Sequence, residues 1–198
     1  MDGRDKPGHD DNPIGIHPLR DGSLASGVGL AFGHCDATTL EHLAAAAGQY
    51  GASGFRAAPG RVVLAIGLKP DTAPLYTAAA ARLGFVVRAD DPRRYVIACA
   101  GAPICGSAHF AARGIAPVIA AAAAAHLHDA FTIHLSGCAK GCAHAAPAAL
   151  TVVGTSEGGA LVADGSARDA PFAVVAAHEL PAAIARFAGE RAREAGHV

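Results

Sequence analysis

The sequence contains no tryptophan, a single methionine and few lysines among its 198 residues. The formal net charge is only −1 at pH 7, so the chain lacks the basic character that attracts nucleic acids and acidic membrane surfaces. The most apolar run, residues 114–127, is shorter than a bilayer span and includes a proline, which is typical of a buried helix. We therefore expect neither a nucleic acid nor a membrane as a partner.

The sequence also lacks the features of a secreted disulfide scaffold. It shows no signal-peptide pattern, it is long for such a scaffold, and its five cysteines cannot all pair within one chain. Thiols that stay reduced favour a reducing compartment, so the expected location is the cytoplasm.

The pattern of strands and helices predicts an α+β fold with three regions. Residues 1–13 are charged, contain glycine and proline, and are predicted to be a disordered leader. Residues 14–92 follow a β-α-β-β-α order, close to a split βαβ, ferredoxin-like half-domain, whose first strand is expected over residues 27–33. The first helix is predicted to have Thr38 as N-cap and Glu41 at N3, and glycines are expected to end both helices.

Residues 93–198 form the third region, in which two short apolar strands each lead into a pair of cysteines. A helix between them is expected to be interrupted near Gly114 and Pro117. Two strands joined by a glycine-rich turn and a final amphipathic helix complete the region. Each cysteine pair is therefore predicted to lie in a loop held by a strand, where binding groups are common.

The paired cysteines are Cys99 and Cys105, spaced C-x5-C, and Cys138 and Cys142, spaced C-x3-C. Their small neighbours let an inorganic core approach the backbone and leave amide N–H groups free to point at sulfur, as an iron–sulfur cluster needs. Zinc and unliganded or oxidised thiols remain alternatives, although the first spacing is wider than a usual zinc knuckle. Cys35 is predicted to be a small, half-buried residue rather than a ligand.

The segments ACAGAPIC, residues 98–105, and HLSGCAKGCAH, residues 134–144, resemble the iron–sulfur signature of the nitrite and sulfite reductase superfamily. The resemblance implies that one [4Fe–4S] cluster is held by Cys99, Cys105, Cys138 and Cys142, within a sirohaem-type iron–sulfur domain over residues 93–198. It also implies that Cys142 is a candidate bridge from the cluster to the iron of sirohaem. Residues 14–92 resemble the ferredoxin-like half-domain of the same superfamily.

Within that superfamily, SGCAKGCAH is similar to the precorrin-3B synthases of aerobic cobalamin biosynthesis. The likeness implies an oxidoreductase that hydroxylates a tetrapyrrole with dioxygen and closes a lactone. A [4Fe–4S] cluster would supply electrons, and sirohaem or a non-haem iron would activate oxygen; the electron donor and the catalytic side chains stay unassigned. The alternatives are a sulfite or nitrite reductase fragment, an iron–sulfur electron carrier without its own substrate, and a zinc-stapled structural module.

A tetrapyrrole with acetate and propionate arms needs cationic partners. Lys140 lies between two candidate cluster ligands, where its charge would offset an anionic site, and His144 follows the last ligand by two positions. Together with Arg56, these are the predicted substrate-binding residues. Arg93 and Arg94 are interpreted as part of an exposed turn.

Members of the superfamily contain the two domains twice, whereas this sequence has one copy and no internal repeat. The resemblance therefore implies that the chain corresponds to the C-terminal half of such a protein. It also predicts that an N-terminal-half partner is needed to complete the tetrapyrrole pocket, or that the chain associates with itself.

Overall fold

The computed structural model describes residues 12–195, which divide into two units between Asp91 and Pro92. Each unit combines helices with a sheet of its own, so the predicted α+β fold class is confirmed. The predicted disordered leader falls on residues 1–13, of which residues 1–11 lie outside the described part of the chain.

The first unit contains β1 (Gly15–Pro18), β2 (Leu24–Gly29), α1 (Ala37–Gln49), β3 (Gly54–Ala58), β4 (Val62–Leu68) and α2 (Ala73–Arg82). Its sheet has the order β1-β2-β4-β3, and all neighbouring strands are antiparallel. The order β2-β4-β3, with α1 leading into β3 and α2 following β4, is consistent with the predicted ferredoxin-like half-domain. The short strand β1, which the sequence pattern did not reveal, occupies the edge beside β2.

One hydrophobic core holds the helices of this unit against its sheet. Leu43 and Ala47 lie four positions apart on α1, hence on one helix face, and both are buried. They pack with Val28 of β2 and with Tyr76, the largest fully buried side chain of α2. This burial, rather than the propensity of two short alanine-rich helices, stabilises the unit.

The start of α1 differs from the sequence prediction. Asp36 is the N-cap, and its Oδ1 accepts a hydrogen bond from the backbone N–H of Thr39 at 2.6 Å, whereas Thr38 lies inside the helix. The Asp36 carboxylate is a charged acceptor and suits the positive end of the helix dipole, so Asp36 caps the helix in preference to the hydroxyl of Thr38. The helix ends as expected, because Gly51 follows it with a φ of 83°.

The first predicted strand also differs from the structure. The expected strand over residues 27–33 begins earlier, at Leu24, and ends at Gly29. Residues Ala31–Gly33 form a single 3₁₀ turn in which Phe32 has a φ of 57° and a buried side chain. Burial of this aromatic ring overrides the extended conformation that the apolar run predicts.

The second unit contains β5 (Val96–Ala98), α3 (Ala112–Ala122), β6 (Ile133–Ser136), β7 (Ala148–Thr155), β8 (Gly158–Gly165), β9 (Ala173–Val175) and α4 (Leu180–Ala195). Its sheet has the order β5-β6-β7-β8-β9. The first three strands are parallel, and β8 and β9 are antiparallel to their neighbours.

The helix α3 runs without interruption through Gly114 and Pro117, contrary to the sequence prediction. Its buried face includes Ala116 and Ile119, and packing of this face retains the helix although Pro117 removes one backbone donor. Within residues 12–195, we find no helix with the length and apolar character needed to cross a membrane.

Candidate metal centre

The two cysteine pairs follow neighbouring parallel strands of the second unit. Ala98 at the end of β5 is level with Leu135 of β6, and the backbone N–H of Cys99 donates to the Leu135 carbonyl at 3.0 Å. Cys138 comes two residues after the end of β6, where Ser136 Oγ donates to its carbonyl oxygen at 2.7 Å. Because parallel strands end at the same edge of a sheet, the first residue of each pair emerges at one edge.

Hydrogen bonds join the two cysteine loops directly. The backbone N–H of Gly137 donates to Cys99 Sγ at 3.1 Å. The backbone N–H of His109 donates to the Gly137 carbonyl at 2.8 Å, and Lys140 Nζ donates to Ser107 Oγ at 3.0 Å. The fold therefore brings together segments that contain both cysteine pairs.

Small residues are a steric requirement at this junction. A Cβ atom on Gly137 would lie 2.6 Å from the Cβ of Ala108 and 3.4 Å from the Cα of Gly101. A Cβ atom on Gly101 would collide with the backbone nitrogen of Ala112, and Gly101 has a φ of 66°. Glycine at position 137 therefore lets the two loops approach each other, whereas Gly101 permits the first loop to fold back on the start of α3 with a left-handed backbone.

All five cysteines are free thiols. Cys99, Cys105 and Cys138 are half-buried, and Cys142 is exposed. Cys35 lies in the first unit, where burial, and to a smaller extent the charge of Asp36, raise the pKa of its thiol. That Cys35 is not a ligand, and that the other four are, remain predictions.

In the part of the chain that the structure describes, no three His, Cys, Asp or Glu side chains gather closely enough to hold a single metal ion. A [4Fe–4S] cluster makes a different demand, because each thiolate binds a different iron and the sulfurs surround the core. The free thiols, the small neighbouring residues and the N–H donor on Cys99 Sγ fit such a group. A lone zinc ion, by contrast, requires its ligands to converge on one point.

Two of the predicted substrate-binding residues line one cavity of about 210 Å³ beside the second cysteine pair. These are Lys140 and His144, and the structure adds Ser166 and Arg168 from the turn after β8. The His144 ring lies edge-on to the buried ring of His134 on β6, with the centroids 5.7 Å apart. Sequence reasoning missed Arg168; an arginine in a polar turn directly after a strand was the only available signal.

The predicted residue Arg56 lies on β3 of the first unit with an exposed side chain, so it belongs to a different unit from Lys140 and His144.

The interpretation of Arg94 as part of an exposed turn is wrong. Its side chain is 21% exposed, lies 3.1 Å from Asp129 and donates to the Tyr95 hydroxyl at 2.9 Å. The ion pair and the stacking of the guanidinium on the Tyr95 ring hold it in place.

Comparison with known proteins connects these observations to a family. No protein-family model matches the sequence. A precorrin-3B synthase from Sinorhizobium is 38% identical over 173 residues, which cover 87% of this chain and 38% of that protein. In structure, the Mycobacterium tuberculosis NirA protein matches with a TM-score of 0.72 and 21% identity, over 87% of this chain and 36% of that chain.

The chain thus spans little more than a third of the length of each protein that it matches. The NirA protein shares the fold described above. The predicted resemblance is therefore confirmed as a similarity: over most of its length the chain is similar in sequence to a precorrin-3B synthase, and it shares its fold with the corresponding part of the NirA protein.

Proposed function

We propose that Cys99, Cys105, Cys138 and Cys142 hold a [4Fe–4S] cluster, and that this chain forms part of a precorrin-3B synthase-like oxidoreductase acting on a tetrapyrrole. The observation that carries the proposal is the hydrogen bond from the Gly137 N–H to Cys99 Sγ. It joins the two cysteine loops and supplies the N–H···S contact that iron–sulfur sites use to set their potential.

The chain's own residues prepare the site in three ways. The Gly137 N–H stabilises negative charge on Cys99 Sγ. Lys140 brings a positive charge next to Cys138 and Cys142, which offsets the charge of several thiolates. Half-burial of three of the four cysteines limits their contact with water. When bound, a [4Fe–4S] cluster supplies electrons one at a time.

The exposure of Cys142 distinguishes it from the other three candidate ligands. In the resemblance, the last cysteine is the one that bridges to the iron of sirohaem, and an outward-facing thiol is suited to such a bridge. We therefore propose Cys142 as the ligand nearest to a second centre, either sirohaem or a non-haem iron.

The identity of the substrate rests on the sequence match. The 38% identity to precorrin-3B synthase favours a tetrapyrrole over sulfite or nitrite. A sulfite or nitrite reductase fragment is the second candidate, because the NirA protein shares the fold. An electron carrier without its own substrate would not need the cavity with Lys140 and Arg168, and a zinc module would need thiols that converge on one ion.

The test is the metal and sulfide content of protein purified without oxygen. We expect about four irons and four sulfides per chain, as four thiolate ligands imply. Replacing each candidate ligand in turn by serine should remove most of the iron and sulfide. Cys35→Ser is the matched control and should keep both. Stoichiometric zinc without sulfide, or an equal loss of iron in Cys35→Ser, would overturn the proposal.

A further inference from the structure

The cavity of about 210 Å³ beside the second cysteine pair has a charge pattern that suits an anion. We infer that it is a subsite for one carboxylate arm of the substrate, held by Arg168 and Lys140. The inference rests on the proposed function for the identity of that substrate. The sequence pattern predicts no binding residue in the turn after β8, so the inference gives Arg168 of that turn a new role in carboxylate binding.

The charges around the cavity are unbalanced. Lys140 and Arg168 contribute two cations, Ser166 contributes a hydroxyl, and the described lining includes no acidic side chain. Within residues 12–195, neither cation forms an ion pair: Lys140 Nζ donates to the neutral Ser107 Oγ at 3.0 Å. Both charges are therefore available to an anionic ligand, and an arginine can bind a carboxylate through two parallel hydrogen bonds.

The turn that contains Arg168 is held in shape by its neighbours. Asp169 Oδ2 accepts hydrogen bonds from the backbone N–H of Ser166 at 2.7 Å and from Ser166 Oγ at 2.9 Å. These bonds lower the pKa of the Asp169 carboxyl and orient it toward Ser166 within the turn. The carboxyl of Asp169, the residue after Arg168, is thus hydrogen-bonded to Ser166 and is not within salt-bridge distance of Arg168.

The same turn is pressed against the second cysteine loop. Gly141 has a φ of 66°, and a Cβ atom there would lie 3.2 Å from the Cβ of Ala167. A side chain at this position would strain the left-handed backbone and would push Ala167 away, so glycine suits the close approach. The position of Arg168 is therefore coupled to the loop of Cys138 and Cys142.

The size of the cavity decides which part of a tetrapyrrole it can take. Pockets that enclose a drug-sized ligand have volumes of about 300–1,000 Å³. A cavity of about 210 Å³ is too small for a macrocycle but large enough for an acetate or propionate arm. The ring would therefore lie outside the cavity, with one arm inserted beside the second cysteine pair.

The experiment measures the dissociation constant of uroporphyrin III, a water-soluble tetrapyrrole with eight carboxylates, by absorbance titration of the full chain. Arg168→Gln should weaken binding about tenfold or more, as expected for a lost hydrogen bond between charged groups. Arg186→Gln is the matched control, since Arg186 is an exposed arginine on α4 of the same unit and should change the constant less than twofold. Arg168→Lys keeps the charge but not the paired hydrogen bonds, so its dissociation constant should lie between those of Arg168→Gln and Arg186→Gln.

A tetracationic porphyrin of the same ring size serves as the second probe, and Arg168→Gln should not weaken its binding. The subsite is overturned if wild-type protein fails to bind uroporphyrin, or if Arg168→Gln and Arg186→Gln weaken it equally. Iron and sulfide are measured on the same samples. If Arg168→Gln binds uroporphyrin as tightly as wild type while iron and sulfide are present, the subsite is wrong and the metal centre stands. If Arg168→Gln weakens uroporphyrin binding in protein that contains no iron or sulfide, the metal centre is wrong and the subsite stands.

Discussion

The backbone N–H of Gly137 donates a hydrogen bond to Cys99 Sγ across 3.1 Å, although the two residues are 38 positions apart in the sequence. The contact is made by parallel strands, β5 and β6, that end side by side. It brings the two cysteine motifs into contact, and it depends on the absence of a side chain at Gly137.

We expect Gly137→Ala to destabilise the second unit by about 1–3 kcal/mol, because its Cβ would lie 2.6 Å from the Cβ of Ala108 and neither atom can rotate away. Iron and sulfide content should fall as well. Urea unfolding followed by circular dichroism measures the loss of stability. Gly106→Ala is the control in the same region, since a Cβ there meets no atom within 4 Å. Equal stability of the two variants would contradict the steric argument.

Two buried tyrosines should respond oppositely to loss of the hydroxyl. Tyr76 Oη is buried without a hydrogen-bond partner among the described residues, and burial raises the pKa of this phenol. We expect Tyr76→Phe to raise the free energy of unfolding by about 1 kcal/mol, because the desolvation cost of the hydroxyl disappears. Tyr95→Phe should lower it by about 1 kcal/mol, since Tyr95 Oη accepts a hydrogen bond from Arg94. A loss of stability in Tyr76→Phe would show that its hydroxyl has a partner.

The reactivity of Cys35 should depend on the charge of Asp36. Burial is the larger cause of the raised pKa of the thiol, and the Asp36 carboxylate is the second. Asp36→Asn removes the charge but keeps an acceptor for the Thr39 N–H, so the α1 cap survives. The pKa of Cys35 should then fall, and alkylation at pH 8 should accelerate about twofold at low salt because more thiolate is present.

Mass spectrometry of the Cys35 peptide after reaction with iodoacetamide gives this rate without interference from the other thiols. The difference between wild type and Asp36→Asn should shrink at high salt, which screens the charge of the Asp36 carboxylate. Asp71→Asn is the control, because Asp71 is exposed and makes no contribution to the pKa of Cys35. An equal acceleration by both variants would point to a change in net charge rather than to the neighbouring carboxylate.

The lone chain should associate with itself. The strand β3 is at an edge of the first sheet, and Phe55 on it is 39% exposed. An unpaired strand edge with an apolar side chain favours pairing with another chain. We expect concentration-dependent oligomers in size exclusion, and Phe55→Glu should shift them toward monomer. Leu75→Glu, which changes an apolar and more exposed position on α2, should have less effect because Leu75 is not on a strand edge.

Co-expression with the N-terminal half of a full-length relative should replace these oligomers by a heterodimer. Under the proposed function, oxygen-dependent conversion of the tetrapyrrole in a single turnover should be negligible for the lone chain and should then become measurable. A lone chain that is monomeric at high concentration and fully active would show that one copy builds the whole pocket.

Local chemistry made parts of the fold readable from the sequence. Pro59 and Gly60 between two apolar runs predict the β3–β4 turn, and Gly51 and Gly84 mark the ends of α1 and α2. The placement of Cys99 and Cys138 directly after short apolar strands is likewise a local property. Strand propensity, turn residues and helix ends act over a few positions, so one sequence suffices to recognise them.

Competition between neighbouring candidates was settled only by tertiary structure. Asp36 and Thr38 are both suitable N-cap residues for α1, and the structure selects Asp36. Pro117 predicts a helix break from the sequence alone, but α3 continues through it because the helix packs on a sheet. Arg168 is 26 positions beyond Cys142 in the sequence. Antiparallel pairing of β7 with β8 brings the chain back to the cysteine loops. A hydrogen bond from Thr151 Oγ1 to the Gly165 carbonyl, 2.7 Å long, holds the end of β8 there. The sequence by itself determined the candidate cysteines and the cation between them, Lys140. Long-range strand pairing decided that Arg168 lies beside the same cysteine loop, because such contacts leave no local pattern.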